Sequence, residues 1–95
     1  MEIRDYIPVG EGNRITAAQI SRLTNTHGAN VRYQVNKLRS EGEPIASDER
    51  GYFIAETPEE LNHTIAQINS RIHKMIKARE GLKKAQRKME ENLNV

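Results

Sequence analysis

Apolar positions along the chain follow a helical period, then alternate, then return to a helical period. Near the start, Ile3, Tyr6 and Ile7 have the spacing of a short helix face, which Pro8, Gly10 and Gly12 then break. Thr16 is set to cap a second helix over AAQISRL. Gln19 three residues on completes a capping box, and Ala17, Ile20 and Leu23 share a face. TNTHG reads as a turn, because Asn and Thr side chains bond nearby backbone and Gly is free in φ. A third helix follows, with Val31, Val35 and Leu38 on one inward stripe and Gly42 just past its end. The period then changes. PIAS predicts one strand with Ile45 inward, DERG a turn and YFIA the return strand, and Pro44 suits a strand start or edge.

The last helical stretch is the longest. In TPEEL, Thr57 is set to cap, Pro58 takes the first helical position, and Glu59 and Glu60 meet the positive end of the helix dipole. From there the stripe alternates spacings of four and three, which is a heptad repeat. Leu61, Ile68, Met75, Leu82 and Met89 take d, and Ile65, Ile72, Arg79, Gln86 and Leu93 take a. A helix from Pro58 to about Asn92 is roughly 50 Å long at 1.5 Å per residue. A domain of about 55 residues cannot cover such a stripe along its whole length, so a partner helix is expected, most simply that of a second copy. The expected pairing surface is Leu61, Ile65, Ile68, Ile72, Met75, Leu82 and Met89. The alternative folds the first half of the stripe back on the first helix and the hairpin, leaving residues from about 78 as a frayed charged tail. Two parts follow: 1–56, and a helical segment 57–95.

Helix, helix, helix, strand, strand is the order of a winged helix-turn-helix. The fold class expected is therefore mainly α with a small β-hairpin: a winged helix-turn-helix followed by a long C-terminal helix with a heptad pattern. The run from ITAAQISRLT through VRYQVNKLRSEGEPIASDERGYFIA, over about residues 2–56, resembles the winged helix-turn-helix modules of bacterial regulators, including the N-terminal domain of the biotin-repressor type. DYIPVGEGNRIT with LRSEGEPIASDERGYFIAETPEE is similar to small winged-helix proteins of phages and prophages of Gram-positive bacteria. The segment LR-x-EG-x-PI-x-S-x-x-x-GY marks the fold and no particular target. The resemblance implies a DNA-binding regulator.

Charge refines this picture. The net charge of +2 divides unevenly: residues 1–56 carry seven Lys/Arg and eight Asp/Glu, whereas residues 57–95 carry eight and five. Between Arg71 and Lys88, eight basic side chains face one acid, Glu80, which suits either a polyanion or a solvated helix face. The winged part is slightly acidic, with Glu41, Glu43, Asp48, Glu49 and Glu56 around the hairpin, so avidity from two heads is expected to support any DNA binding.

Composition bears on other functions. Hydrophobic residues make up 36% and charged residues 29%, so the core is small and a pocketed enzyme is not expected. There is no cysteine for disulfides or thiolate metal sites. His27, His63 and His73 lack metal-ligand spacing, and the adjacent pairs Glu59–Glu60 and Glu90–Glu91 cannot flank one bond. No phosphate loop or nucleophile motif is present. No metal, cofactor or catalytic residue is expected. MEIRDYIPVGEGN has no signal-like apolar run, and nowhere do about 18 apolar residues run together, which predicts a cytoplasmic protein off the membrane.

The remaining chemistry is DNA reading by the third helix. With Val31, Val35 and Leu38 inward, Ala29, Tyr33, Asn36 and Ser40 fall on the opposite face, with Asn30, Arg32 and Lys37 on its flanks. Asn pairs with adenine and Arg with guanine, so Asn30, Arg32, Tyr33 and Asn36 are the expected base contacts. Thr26, His27 and Lys37 are the expected phosphate contacts, and Arg50 at the hairpin tip reaches a minor groove or the backbone. Bland readings accompany these: Tyr33 covers the core edge, and Arg32 and Lys37 are merely solvated. Two functions compete. One is a phage or prophage transcriptional regulator that binds double-stranded DNA as a homodimer. The other is a winged-helix adaptor that captures a host or phage protein with little or no DNA binding.

Overall fold

A computed structural model of the chain describes residues 2–93. Two single 3-10 turns, Ile3–Tyr6 and Glu11–Asn13, precede α1 (Ala17–Thr24) and α2 (Gly28–Ser40). Then come β1 (Ile45–Asp48), β2 (Gly51–Ile54), a 3-10 turn Pro58–Leu61 and α3 (Asn62–Leu93). The protein is mainly helical, with one two-stranded antiparallel hairpin and a long C-terminal helix. Contacts divide it into two units, the first ending at Thr64 and the second beginning at Ile65.

The predicted capping box starts α1. The Gln19 amide donates to Thr16 Oγ1 at 3.0 Å, and the Thr16 amide donates to Gln19 Oε1 at 2.8 Å. Asn25 ends the helix in the left-handed conformation, φ 51°, which Asn tolerates better than most residues. The turn into α2 is tied to the last turn of α1. The Thr26 amide donates to the Ser21 carbonyl at 3.1 Å, and the Ser21 hydroxyl donates to the Thr26 carbonyl.

The core sits where these elements converge. Ile20, Val31, Val35 and Ile45 are fully buried, Ile3, Ile7 and Ile54 close around them, and Ile15, Ala17, Leu38 and Tyr52 pack at the edge. Leu23 departs from expectation: it shares the predicted face with Ile20 but is 60% exposed. With eight residues, α1 reaches the core through Ala17 and Ile20, and its last turn runs past it.

Each strand of the hairpin keeps the four residues expected but is shifted by one toward the turn, so that Asp48 and Gly51 join the strands, Glu49 and Arg50 remain as the turn, and Pro44 and Ala55 stay outside. Its register pairs Ile45 with Ile54, Ala46 with Phe53, Ser47 with Tyr52 and Asp48 with Gly51. Outward backbone groups of β2 bond to the N-terminal segment. Tyr52 exchanges two hydrogen bonds with Ile15 at 2.7 and 2.9 Å, the Ile54 amide donates to the Pro8 carbonyl at 2.8 Å, and the Gly10 amide donates to the Ile54 carbonyl at 3.0 Å. This close approach requires a glycine at 51. Its φ is +137°, and a Cβ there would collide with the Ile15 carbonyl.

Thr57 does not cap the helix that follows. The chain enters it through a 3-10 turn in which the Glu60 amide bonds to the Thr57 carbonyl at 3.2 Å, so the amide the hydroxyl was expected to satisfy already has a partner. The Thr57 hydroxyl lies 3.4 Å from Glu60 Oε1 instead. Early in α3, Thr64 is buried. Its hydroxyl accepts from the Ser47 amide at 3.0 Å and donates to the Ser47 carbonyl, 3.2 Å away.

With 32 residues, α3 is about 48 Å long at 1.5 Å per residue. In the second unit, Ile65, Ile72, Met75, Ile76, Leu82 and Met89 are exposed, and Ile68 is half-buried. Leu61, in the preceding 3-10 turn, is half-buried. Among the described residues, no helix is long and apolar enough to cross a membrane.

Candidate nucleic-acid interface

Helix α2 presents two chemically distinct faces. Val31 and Val35 are buried and Leu38 and Gln34 half-buried on one side, while Ala29, Asn30, Tyr33, Asn36, Lys37 and Ser40 are exposed on the other. Tyr33 is 66% exposed, so it does not cover the core edge. The Ser40 hydroxyl donates to the Asn36 backbone carbonyl at 2.9 Å, and Asn36 is exposed. Arg32 is exposed on the flank nearest Gly28.

At the N-terminus of α2, His27 occupies the cap position, and no side chain caps the helix. The His27 carbonyl accepts from the amides of Asn30 and Val31 at 2.9 and 3.1 Å. Its imidazole is exposed. Thr26 is half-buried, and its hydroxyl donates to the Thr24 carbonyl at 3.2 Å. Arg50 stands exposed in the hairpin turn, its own amide donating to Asp48 Oδ1 at 2.9 Å.

The arginines of the first unit divide into two groups, a distinction invisible in the net charge. Arg4 pairs with Glu43 at 2.8 Å. Arg14 donates to Asp48 Oδ2 at 2.7 Å and to the Glu11 carbonyl at 2.6 Å, with its guanidinium 5.3 Å from the Phe53 ring centre. Arg39 donates to the Ile45 carbonyl at 2.8 Å and to Ser47 Oγ at 3.0 Å, and lies over Tyr52. Of the seven Lys/Arg in residues 1–56, these three act inside the unit. The other four, Arg22, Arg32, Lys37 and Arg50, make no side-chain hydrogen bond or ion pair among the described residues. The same pairing removes Glu11, Glu43 and Asp48 from the acids that would repel a polyanion.

Burial pushes the Asp48 carboxyl up, but hydrogen bonds from the Arg50 and Gly51 amides and the Arg14 guanidinium outweigh it and hold the group below its ordinary value. Arg14 and Arg39 escaped the functional reading of the sequence. Arg39 did carry a signal, since it continues the buried Val31, Val35 spacing by another four residues and so needs an internal partner. Arg14 carried none, because Asp48 lies 34 positions away.

Compared with family models, with characterised proteins and with solved structures, the chain finds no match.

Proposed function

We propose that this protein is a winged helix-turn-helix DNA-binding regulator of the phage type, with α2 as the reading helix, the β1–β2 hairpin as the wing and α3 as the pairing element. The observation that carries this reading is the outward face of α2. Tyr33, Asn36, Lys37 and Asn30 stand exposed with Arg32 on the flank, and the side chains behind them are anchored in the core. Such a face offers bidentate donors and acceptors to base edges in the major groove. The uncapped start of α2, beside the His27 imidazole and the Thr26 turn, supports phosphate contact through backbone amides and the helix dipole. Free Arg22, Arg32, Lys37 and Arg50 supply the positive charge, and the basic run Arg71–Lys88 adds to it.

The exposed apolar stripe of α3 favours a second reading, a winged-helix adaptor that captures another protein and binds little DNA. Selection of sites from random duplex DNA by the full chain, at near-physiological salt, separates the two. The regulator recovers a paired motif. Asn36→Ala and Arg32→Ala each relax one base position by about 1–3 kcal/mol, and Lys37→Ala lowers the salt slope by about one without changing sequence preference. Recovery of no enriched sequence by the wild type refutes the DNA reading and leaves the adaptor.

A further inference from the structure

The stripe on α3 has a direction as well as a face. Its first part is apolar at both core positions (Ile65, Ile68, Ile72, Met75), and its second part alternates Arg79 and Gln86 with Leu82 and Met89. In a parallel, in-register pair every residue meets its own copy. Arg79 then faces Arg79, Gln86 faces Gln86, and the run Arg71–Lys88, with eight basic side chains against one acid, lies beside itself along its whole length. In an antiparallel pair an a position meets a partner's d position, so neither polar a residue faces itself.

We propose that two copies pair antiparallel through α3, with the two-fold axis between His73 and Lys74. The inference rests on the dimer reading above and adds its orientation and register. Ile72 then lies against the partner's Met75, Ile65 against the partner's Leu82, and Ile68 against the partner's Arg79, whose aliphatic stem covers it while the guanidinium reaches water. Gln86 falls beside position 61, ahead of the partner's α-helix. A shallow apolar groove of about 300 Å³, lined by Ile72, Met75, Ile76 and Arg79, sits at the axis. Charge points the same way. The two basic runs overlap only over 71–76, and from Arg79 to Ala85 each lies along the partner's α3 residues 62–68, which hold no Lys or Arg. Sliding by one heptad in one direction leaves Leu82 without a helical partner. Sliding in the other brings both Arg79 layers next to the axis.

The chain has no cysteine, so introduced thiols report contacts cleanly. Full-length Ile65→Cys and Leu82→Cys are oxidised separately and mixed. The antiparallel pair gives a disulfide-linked heterodimer in the mixture, at least tenfold above either variant alone. Efficient self-crosslinking of each variant alone overturns the orientation and leaves the dimer intact. Sedimentation of the unmodified chain as a monomer at high micromolar concentration overturns the dimer and the proposal with it. A spin label at Arg87→Cys, off the stripe, gives a second readout if the core thiols disturb pairing. Antiparallel helices hold the two labels about 40 Å apart, 27 residues at 1.5 Å each, whereas parallel helices bring them within about 20 Å and refute the proposal.

Discussion

Replacing Gly51 by alanine tests how the hairpin is joined to the rest of the first unit. The added methyl collides with the Ile15 carbonyl, and the backbone at φ +137° is costly for any residue with a Cβ. Relief requires β2 to move away from Ile15, which breaks the two hydrogen bonds between Tyr52 and Ile15. Each is worth about 1 kcal/mol net, and the backbone strain about 1–3 kcal/mol, so the expected loss is about 3–5 kcal/mol. A unit of this size has roughly 3–10 kcal/mol of stability in total, at about 0.05–0.15 kcal/mol per residue. The variant is therefore expected to lose most of its cooperative transition. The assay is urea denaturation followed by tyrosine fluorescence. Tyr6, Tyr33 and Tyr52 all lie in the first unit and there is no tryptophan, so α3 does not contribute to the signal. Gly12→Ala is the control, because a Cβ at Gly12 meets nothing within 4 Å, and it should change stability by less than about 0.5 kcal/mol. A loss below about 1 kcal/mol for Gly51→Ala would refute the reasoning.

Other expected outcomes use the same unit. Ile20→Ala, at the fully buried centre of the core, should cost about 2–5 kcal/mol in the same denaturation experiment. The folded Asp48 carboxyl titrates below its ordinary range, so its contribution is complete above about pH 4 and is lost as pH falls through the folded value. Asp48→Asn should therefore be less stable than wild type at pH 7, with the gap closing in acid; a gap that stays constant down to pH about 2 would contradict the linkage. Arg39→Met should leave the Ile45 carbonyl unpaired and loosen the hairpin from α2, costing about 1–3 kcal/mol and raising amide exchange in β1 and β2.

The legible parts of this fold are those written in local spacing. Thr16 with Gln19 announces the start of α1, and Val31 with Val35 announces the inner face of α2, because a cap and a stripe act within a turn or two of themselves. The outward set on α2 follows from the same periodicity. What local spacing could not carry was the division of labour among the arginines. Arg4 and Arg14 find their partners 39 and 34 residues away, so a count of charges overstated both the free cations and the free acids. Thr57 misled for a different reason. Its neighbours match a capped α-helix, but in a 3-10 turn the Thr57 carbonyl rather than its hydroxyl meets the Glu60 amide. Leu23 misled because periodicity gives the direction of a side chain and not how far the core extends.

The bonds around the hairpin have a consequence for self-association. An edge strand with free amides and carbonyls is a template on which another chain can add a strand. Here both margins of the two-stranded sheet are already occupied: Ile15, Pro8 and Gly10 take the groups of Tyr52 and Ile54, Arg39 takes the Ile45 carbonyl, and one Thr64 hydroxyl serves both the amide and the carbonyl of Ser47. A threonine on a helix thus stands in for a neighbouring strand. The folded unit offers the β1 and β2 margins to no second molecule, which guards against sheet-to-sheet aggregation and leaves side-chain surfaces to form any specific assembly.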